Sequence, residues 1–558
     1  MKKRNILGLA LVLLLLIMIH ASVASATAWY VDNNALPGGT GLSWQTAFSS
    51  VQGGINAAVS GNEVWVKQGT YYENIIIKDG VGLYGGFAGT ENLRSQRDWN
   101  QYITIIDAGG NGHAVFIDNC SSTYTRIDGF TIRNGYFQPY DPGYTDGGGG
   151  IYCNQSNPVI ENNSIIDNYG YFGGGIYTLL SSPTIINNSV MNNGALQGGA
   201  GIYLNSSSGL VSKNLISGNN VFYFGPGIYN NSSTTTISNN VIINNSGSPS
   251  GSSGGGIYLW YAASAILNNT ISNNWVSAIG GGIDARHDHS TIANNIFDNN
   301  ACQSGMGSGL HLDDFSFSQV VNNTIVHNTG GAAVYTFGFS RPSIYNNVIA
   351  FNDAGIWNGE YALPSLANNN FYGNNAFDYW GVSPGIGDIS ADPLFVDSTV
   401  GDYHLRVGSP CINAGDNTVV QFDWTDIDGA PRVTLSDGVG IVDIGADEYY
   451  ADTTPPAVMG TIPLDNAANI PLNQIISITF SEDIQVVPPG SNIFLYDEKR
   501  FVLVGRTLSI NGNVLTITPE LLRKDTIYSV NIPEFSIKDL AGNEMAADKV
   551  FYFTTVKK

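Results

Sequence analysis

The chain has 558 residues, a formal net charge of −22 and only 23 Lys and Arg. So acidic a protein is a poor partner for nucleic acid, because phosphate binding draws on Lys and Arg, and it is repelled by anionic lipid. Its length calls for more than one domain.

The first element is a basic start (Lys2, Lys3, Arg4), an apolar run from Ile6 to Ile19, and the small residues Ala24-Ser25-Ala26. This layout predicts a secretory signal peptide over residues 1–26, cleaved after Ala26 or, on the same grounds, after Ala28. The run is short of the about 20 residues a membrane span needs. The mature chain is therefore expected outside the cytoplasm, secreted or at the cell surface, with no transmembrane segment. Residues 27–147 read as an N-terminal cap and first turns. Ser43 is placed to cap a short helix carrying Phe48, Val51 and Ile55 on one face, which would cover an open sheet end.

Residues 148–390 are built on a repeat. The phrase GGGIY ends at Tyr177 and recurs, varied, at Tyr203, Tyr229, Tyr258, Asp284, His311, Tyr335 and Trp357. Between these lie NN phrases such as NNSII from Asn162, and then a further Asn at Asn168, Asn193, Asn219, Asn245, Asn274, Asn300, Asn328, Asn352 and Asn375. Short Ile/Val runs bounded by Gly, Asn and Ser are strands, not helices. One repeat cannot bury its own core, so the repeats must stack. The fold class expected is all-β: a right-handed, single-stranded parallel β-helix followed by a small Ig-like β-sandwich. Asn at matching positions should form amide ladders up the coil. Cys120 and Cys153 would bridge if adjacent coils bring them together; free, buried cysteine is the other reading.

WYVDNNALPGG, SWQTAFSSVQGGINAA and VWVKQGTYYENIII resemble the N-terminal part of bacterial pectin-lyase-like β-helix proteins, and the GGGIY/NN repeats resemble theirs. DPLFVD, DYHLRVGSPCINAGD, DIDGAPR and VDIGADEY, within residues 391–450, resemble the tail of exported β-helix proteins of the choice-of-anchor Q type. After a linker at residues 451–456, residues 457–558 alternate as a sandwich does, and TPPAVMGTIPLDNAANIPLNQIISITFSEDI resembles a bacterial Ig-like domain. The resemblances imply fold and export rather than a reaction, since one scaffold hosts many functions.

Alternate strand residues face outward and stack coil on coil. Tyr258, Asp284, His311, Tyr335 and Trp357 should form one outward column, with Trp260, Arg286, Asp313 and Phe337 in a second. His287, Asp288, His289 and Asp314 lie just beyond. Carboxylates here suit acid–base work on a glycosidic bond: Asp284, Arg286, His311 and Asp313 are the catalytic candidates. Arg286 would clamp a uronate. Tyr258, Trp260, His287 and Asp314 are the ligand-binding candidates, all expected to face solvent. The bland alternative is a solvated polar face. Asp313-Asp314 is similar to the paired aspartates of β-helix polygalacturonases, but no NTD, GHG or RIK phrase accompanies it. The expected partner is a polysaccharide or cell-surface glycan. Enzyme (lyase or glycoside hydrolase), binder and plain stalk remain separate readings. Calcium is the one cofactor expected, at Asp426 and Asp428 of DIDG, with Asp443, Asp447 and Glu448 next.

Overall fold

The computed structural model describes residues 27–137, 147–433, 440–450, 452–487, 492–539 and 542–557. The signal peptide expected at residues 1–26 lies outside them. The chain divides near Tyr450 into two units, each described by itself.

The first unit is a parallel coil. Its strands form sheets of 13, 12, 12 and 7 strands, and hydrogen-bonded neighbours come from successive coils. Ile151, Ile176, Ile202 and Ile228 pair in register, and all are fully buried. Successive coils add buried apolar residues to each long sheet, as with Ile160 and Ile185, or Ile165 and Val190.

The NN phrase divides two tasks. The first Asn takes the left-handed corner (Asn162 φ 55°, Asn187 φ 55°, Asn239 φ 56°), a conformation Asn tolerates better than most residues. The second is buried in a ladder. In each rung Nδ2 donates to the next Oδ1 and to a carbonyl of an earlier coil. Asn240, for example, reaches Asn269 Oδ1 and Val211 O, both at 2.9 Å. The ladder runs from Asn163 to Asn369, and a second runs from Asn168 through Asn352 to Asn374. Its last rung is Asn374, where the phrase spacing pointed to Asn375.

At the N-terminal end Ser43 precedes only a 3-10 turn, Trp44–Thr46, and caps nothing with its side chain. The helix is Val51–Ala57, capped by Ser50, whose hydroxyl accepts from Gly53 N. Phe48 instead bridges to Val31 in extended backbone, so the expected single helix is two pieces. All four cysteines are free and buried. Burial holds Cys153 up to about 12 and Cys302 and Cys411 up to about 11, which makes inert thiols.

The tail after Phe395 folds back along the coil. Phe395, Tyr403, Leu405, Cys411 and Ile444 pack on Val326, Val348 and Ala350. Strands Thr324–Val326 and Val348–Ala350 are consequently buried on both faces, while Ser164–Ile166 buries only its middle residue. Corner Asn residues meet the tail's irregular backbone: Asn268 Nδ2 donates to Asp426 O, Asn322 to Asp443 O, Asn346 to Asp416 O and Asn368 to Ala414 O.

The second unit has a four-stranded and a five-stranded sheet, with antiparallel pairing throughout except between Ala467–Ile470 and Lys549–Thr555. Strand Ile476–Phe480 alternates buried and half-buried residues, and Ile476, Phe480, Ile517, Tyr528 and Phe553 share its core. Asp539 and Asn543 close a turn: Asn543 N donates to Asp539 Oδ1 and its amide to Oδ2.

Asn240→Ala should leave Asn214 without the oxygen that accepts both its N–H and its amide. Each buried group left unsatisfied costs about 1–3 kcal/mol. A thermal melt should shift downward, and amide exchange should rise first in the coils flanking residue 240. An unmoved melt would show that the rungs contribute little.

Candidate functional site

The outward columns have the expected register. Tyr258 pairs with Asp284, Asp284 with His311, His311 with Tyr335 and Tyr335 with Trp357. Trp260, Arg286 and Asp313 follow one another in the second column. Facing away from the coil does not mean facing water, and here the expectation of a solvated face fails. Tyr258, Asp284 and His311 are buried, and Asp313 is nearly so. The reason is the glycine turn before each strand. Gly254, Gly280 and Gly307 take φ of 67°, 69° and 72°, and a Cβ on them would sit 2.7, 2.6 and 2.8 Å from the Cβ of Tyr258, Asp284 and His311. Only glycine lets the backbone fold over its own column so closely.

Under that roof the earlier coils stack tyrosines: Tyr152, Tyr177, Tyr203, Tyr229 and Tyr258 form one cluster. Asp284 then interrupts the rings. A buried carboxylate is costly unless partnered, and its partners are close. A carboxylate only accepts, so the Nδ1–H of His311 donates to Asp284 Oδ1 at 2.7 Å. Arg286 Nε donates to both oxygens of Asp284 at 3.3 Å. His311 Nε2 lies 3.9 Å from Asp313 Oδ2, and Arg286 Nη1 lies 3.8 Å from Asp314 Oδ2. Burial is the main cause that raises the Asp313 carboxyl, outweighing the pull of His311. The group is thus a charged cluster: His311 and Arg286 hydrogen-bond Asp284 under the roof, and Asp313 and Asp314 lie within ion-pair reach of them toward the rim, where Asp314 has 45% of its side chain exposed. Arg286 is already engaged by carboxylates of its own face.

His287 is half-buried and lies in another set of rings. Tyr261, His287, Phe315, Phe339 and Tyr361 stack at centroid distances of 4.4, 6.0, 5.4 and 5.0 Å. All five have left-handed backbone, at φ between 47° and 64° with neighbouring Asp314. Sequence reasoning missed this ladder because it sits one position later from Phe315 onward, where Asp314 adds a residue to the corner. Asp288 is fully buried instead of facing out, and the hydroxyls of Ser290 and Ser318 donate to it at 2.7 and 2.6 Å. His289 is exposed and stacks on Phe317 at 5.2 Å.

The tail acids do not assemble as expected. Asp426 is buried, and its Oδ1 accepts from Asp428 N and Ala430 N, so DIDG is a closed turn. Asp428 points away to His404 Nε2 at 2.6 Å. His404, Asp428 and Asp447 bring possible ligand atoms within 4.8 Å of one another, a set of one nitrogen and two oxygens. Calcium takes six to eight oxygens, and imidazole with carboxylate suits Zn²⁺-like ions better. Asp443 accepts from Asn413 N and Tyr449 N, and Glu448 pairs with the buried Arg432 at 3.0 Å.

Comparison with known proteins agrees with this architecture. The family model for a right handed beta helix region matches residues 101–264 and 248–376, and that for a bacterial Ig-like domain matches residues 452–555. The chain carries a right-handed β-helix followed by a bacterial Ig-like domain. No curated protein matches it. Among solved structures, a pectate lyase is 13% identical with a TM-score of 0.41, covering 75% of this chain and 96% of its own. XylC in complex with xylose is 12% identical with a TM-score of 0.44, covering 75% and 98%. The Dettilon tailspike protein is 12% identical with a TM-score of 0.31, covering 94% and 93%.

The tail's charges give a pH dependence with one sign. Burial lifts Asp447 to about 7 and Glu448 to about 8. Burial lowers His404, but hydrogen bonds to Asp402 and Asp428 overcome it and hold the imidazole up to about 9. All three hold protons more tightly folded than unfolded, so the stability they give is present at low pH. It is lost as pH rises through about 7, 8 and 9 respectively. Hydrogen exchange over residues 391–433 should therefore be slower at pH 5 than at pH 9, relative to the Ile core of the coil. Equal ratios at both pH values would contradict this.

Proposed function

We propose that this is an exported surface or secreted protein whose β-helix contacts polysaccharide, with the Ig-like domain as spacer or adhesive module. One observation carries the reading. The cluster of Asp284, His311, Asp313 and Arg286 reaches the surface where aromatic side chains collect, Trp260 lying edge-on to Tyr261 at 5.3 Å and to His287 at 5.4 Å. Apolar rings beside a few convergent polar groups make a sugar-contacting surface. The bacterial Ig-like domain hints at a surface protein. Export rests on residues 1–26, and the tail's likeness to choice-of-anchor Q proteins supports a surface location.

Catalysis is the second reading, favoured by the raised Asp313 carboxyl, which suits a general acid in glycoside hydrolysis. A cation for the tail is proposed at His404, Asp428 and Asp447 in place of the Asp426–Asp428 pair. Calorimetry with Ca²⁺ and Zn²⁺ reads it, and no heat from either removes it.

A polysaccharide panel tests the main reading, scored for retention, reducing ends and unsaturated products. Retention without products is expected. Trp260→Ala should weaken it roughly tenfold, about 1.4 kcal/mol, and Asp313→Asn should weaken it less. Products that vanish in Asp313→Asn would place the coil among enzymes. Full retention in Trp260→Ala, Arg286→Ala and Asp313→Asn together would move the contact elsewhere. Retention by no glycan would leave a stalk.

A further inference from the structure

The rings of the outward face divide into two kinds. The ladder from Tyr261 to Tyr361 is flat: interplanar angles are 3°, 13°, 14° and 17°. Rings stacked on each other hide the faces between them, so this ladder, though half exposed or more at Tyr261, Phe315, Phe339 and Tyr361, shows water its edges and two end faces. A sugar ring packs its C–H face on an aromatic face, so this ladder is an apolar rim, not a platform. The column that holds Asp284 and His311 behaves differently. His311 and Tyr335 lie flat on each other, at 14°, and beyond them the column breaks. Trp357 stands at 65° to Tyr335 and at 65° to Trp380, so neither indole is sandwiched between parallel rings of its neighbours. Trp357 is 39% exposed and Trp380 58%. Both continue the column of Asp284 and His311 in register.

Charge narrows what such a surface takes. The charged groups that meet beside this column are the carboxylates of Asp284, Asp313 and Asp314 and the one guanidinium of Arg286. Arg286 is engaged by Asp284 and Asp314. A polyuronate brought to this face would meet Asp313 and Asp314 with no spare cation from Arg286, and would be repelled.

We infer that Trp260, Asp313, Trp357 and Trp380 line one track along the coil axis, and that its ligand is an uncharged polysaccharide lying lengthwise. The inference rests on the polysaccharide reading above and adds the substrate class, the direction and two residues, Trp357 and Trp380. Trp260 lies one coil before Arg286, and Trp380 lies three coils beyond Asp313. At about 4.8 Å per coil the track is roughly 24 Å long. The ligand therefore has to be an oligomer, and a monosaccharide would fill only a fraction of it.

The test uses the full chain in affinity electrophoresis against neutral polymers (arabinoxylan, hydroxyethyl cellulose, dextran) and acidic ones (polygalacturonate, alginate), each with and without added NaCl. Retention is expected from at least one neutral polymer, unchanged by salt. Trp357→Ala and Trp380→Ala should each weaken it roughly tenfold and together abolish it. Bound polymer should also shield native tryptophan fluorescence from acrylamide, a readout that needs no variant. Retention by the acidic polymers alone, lost in salt, would overturn the uncharged class while leaving the polysaccharide reading standing. Neutral retention that survives the double variant, with its melt unchanged, would overturn the track. No retention by any polymer would overturn the polysaccharide reading itself. Self-association that the double variant abolishes, without glycan binding, would make the two indoles a contact between copies of this chain.

Discussion

A coil of short parallel strands has no partner for its backbone except the coil before and the coil after it. Every structural choice in the first unit answers to that constraint. Strands of three or four residues make few hydrogen bonds each, and the corners between them would strand buried amides. The Asn ladders meet that need. Each rung's oxygen accepts two bonds from the rung below, and its nitrogen gives two, to the rung above and to a carbonyl of an earlier coil. A saturated side chain of this kind tolerates burial, where a half-satisfied one would not. The ladders also fix register, because a slip of one residue would break every rung at once.

Register is what makes the rest of the face intelligible. Once Ile176, Ile202 and Ile228 share a column, the residue after each is committed to a second column, whatever its chemistry. That column is tyrosine over Tyr152 to Tyr258, which costs nothing and gains ring contacts. Asp284 and His311 break a run that aliphatic or aromatic residues would fill more cheaply. The glycine turns then make the substitution expensive, since they roof the column with backbone. The knot with Arg286 is the compensation, and removing one member would leave another charged and buried.

This explains which features could be read from the sequence. The Ile and Asn phrases carry the fold because their period is physical. The columns follow from the same period, and Tyr258, Asp284 and His311 are neighbours as the spacing requires. Exposure was not legible, because alternation says which way a side chain leaves the strand and nothing about what covers it. The Gly254, Gly280 and Gly307 turns do the covering, and only a three-dimensional path shows how near they come. The Tyr261–Tyr361 ladder was hidden by the one extra residue at Asp314, which shifts the phrase. Asp426 and Asp428 looked paired because they are close in sequence, yet a turn sends their carboxyls to opposite surroundings. At the N-terminus a serine seven residues early had the right chemistry for a cap but the wrong place.

The first Asn of each NN phrase shows how one constraint is used twice. Its left-handed backbone turns the corner, and that same conformation leaves its amide outside the coil. In coils near Asn162 the outward amide serves only its neighbours; Asn162 donates to Asp128 at 3.0 Å. From Asn268 onward the amides of Asn268, Asn322, Asn346 and Asn368 receive the returning tail. Asn294 is the rung between Asn268 and Asn322, and it is fully buried with neither amide atom bonded. Asn294 thus stands at a corner that no backbone group of the tail meets. The coil dictates where docking amides stand, one per corner, and an irregular tail can meet most of them but not all.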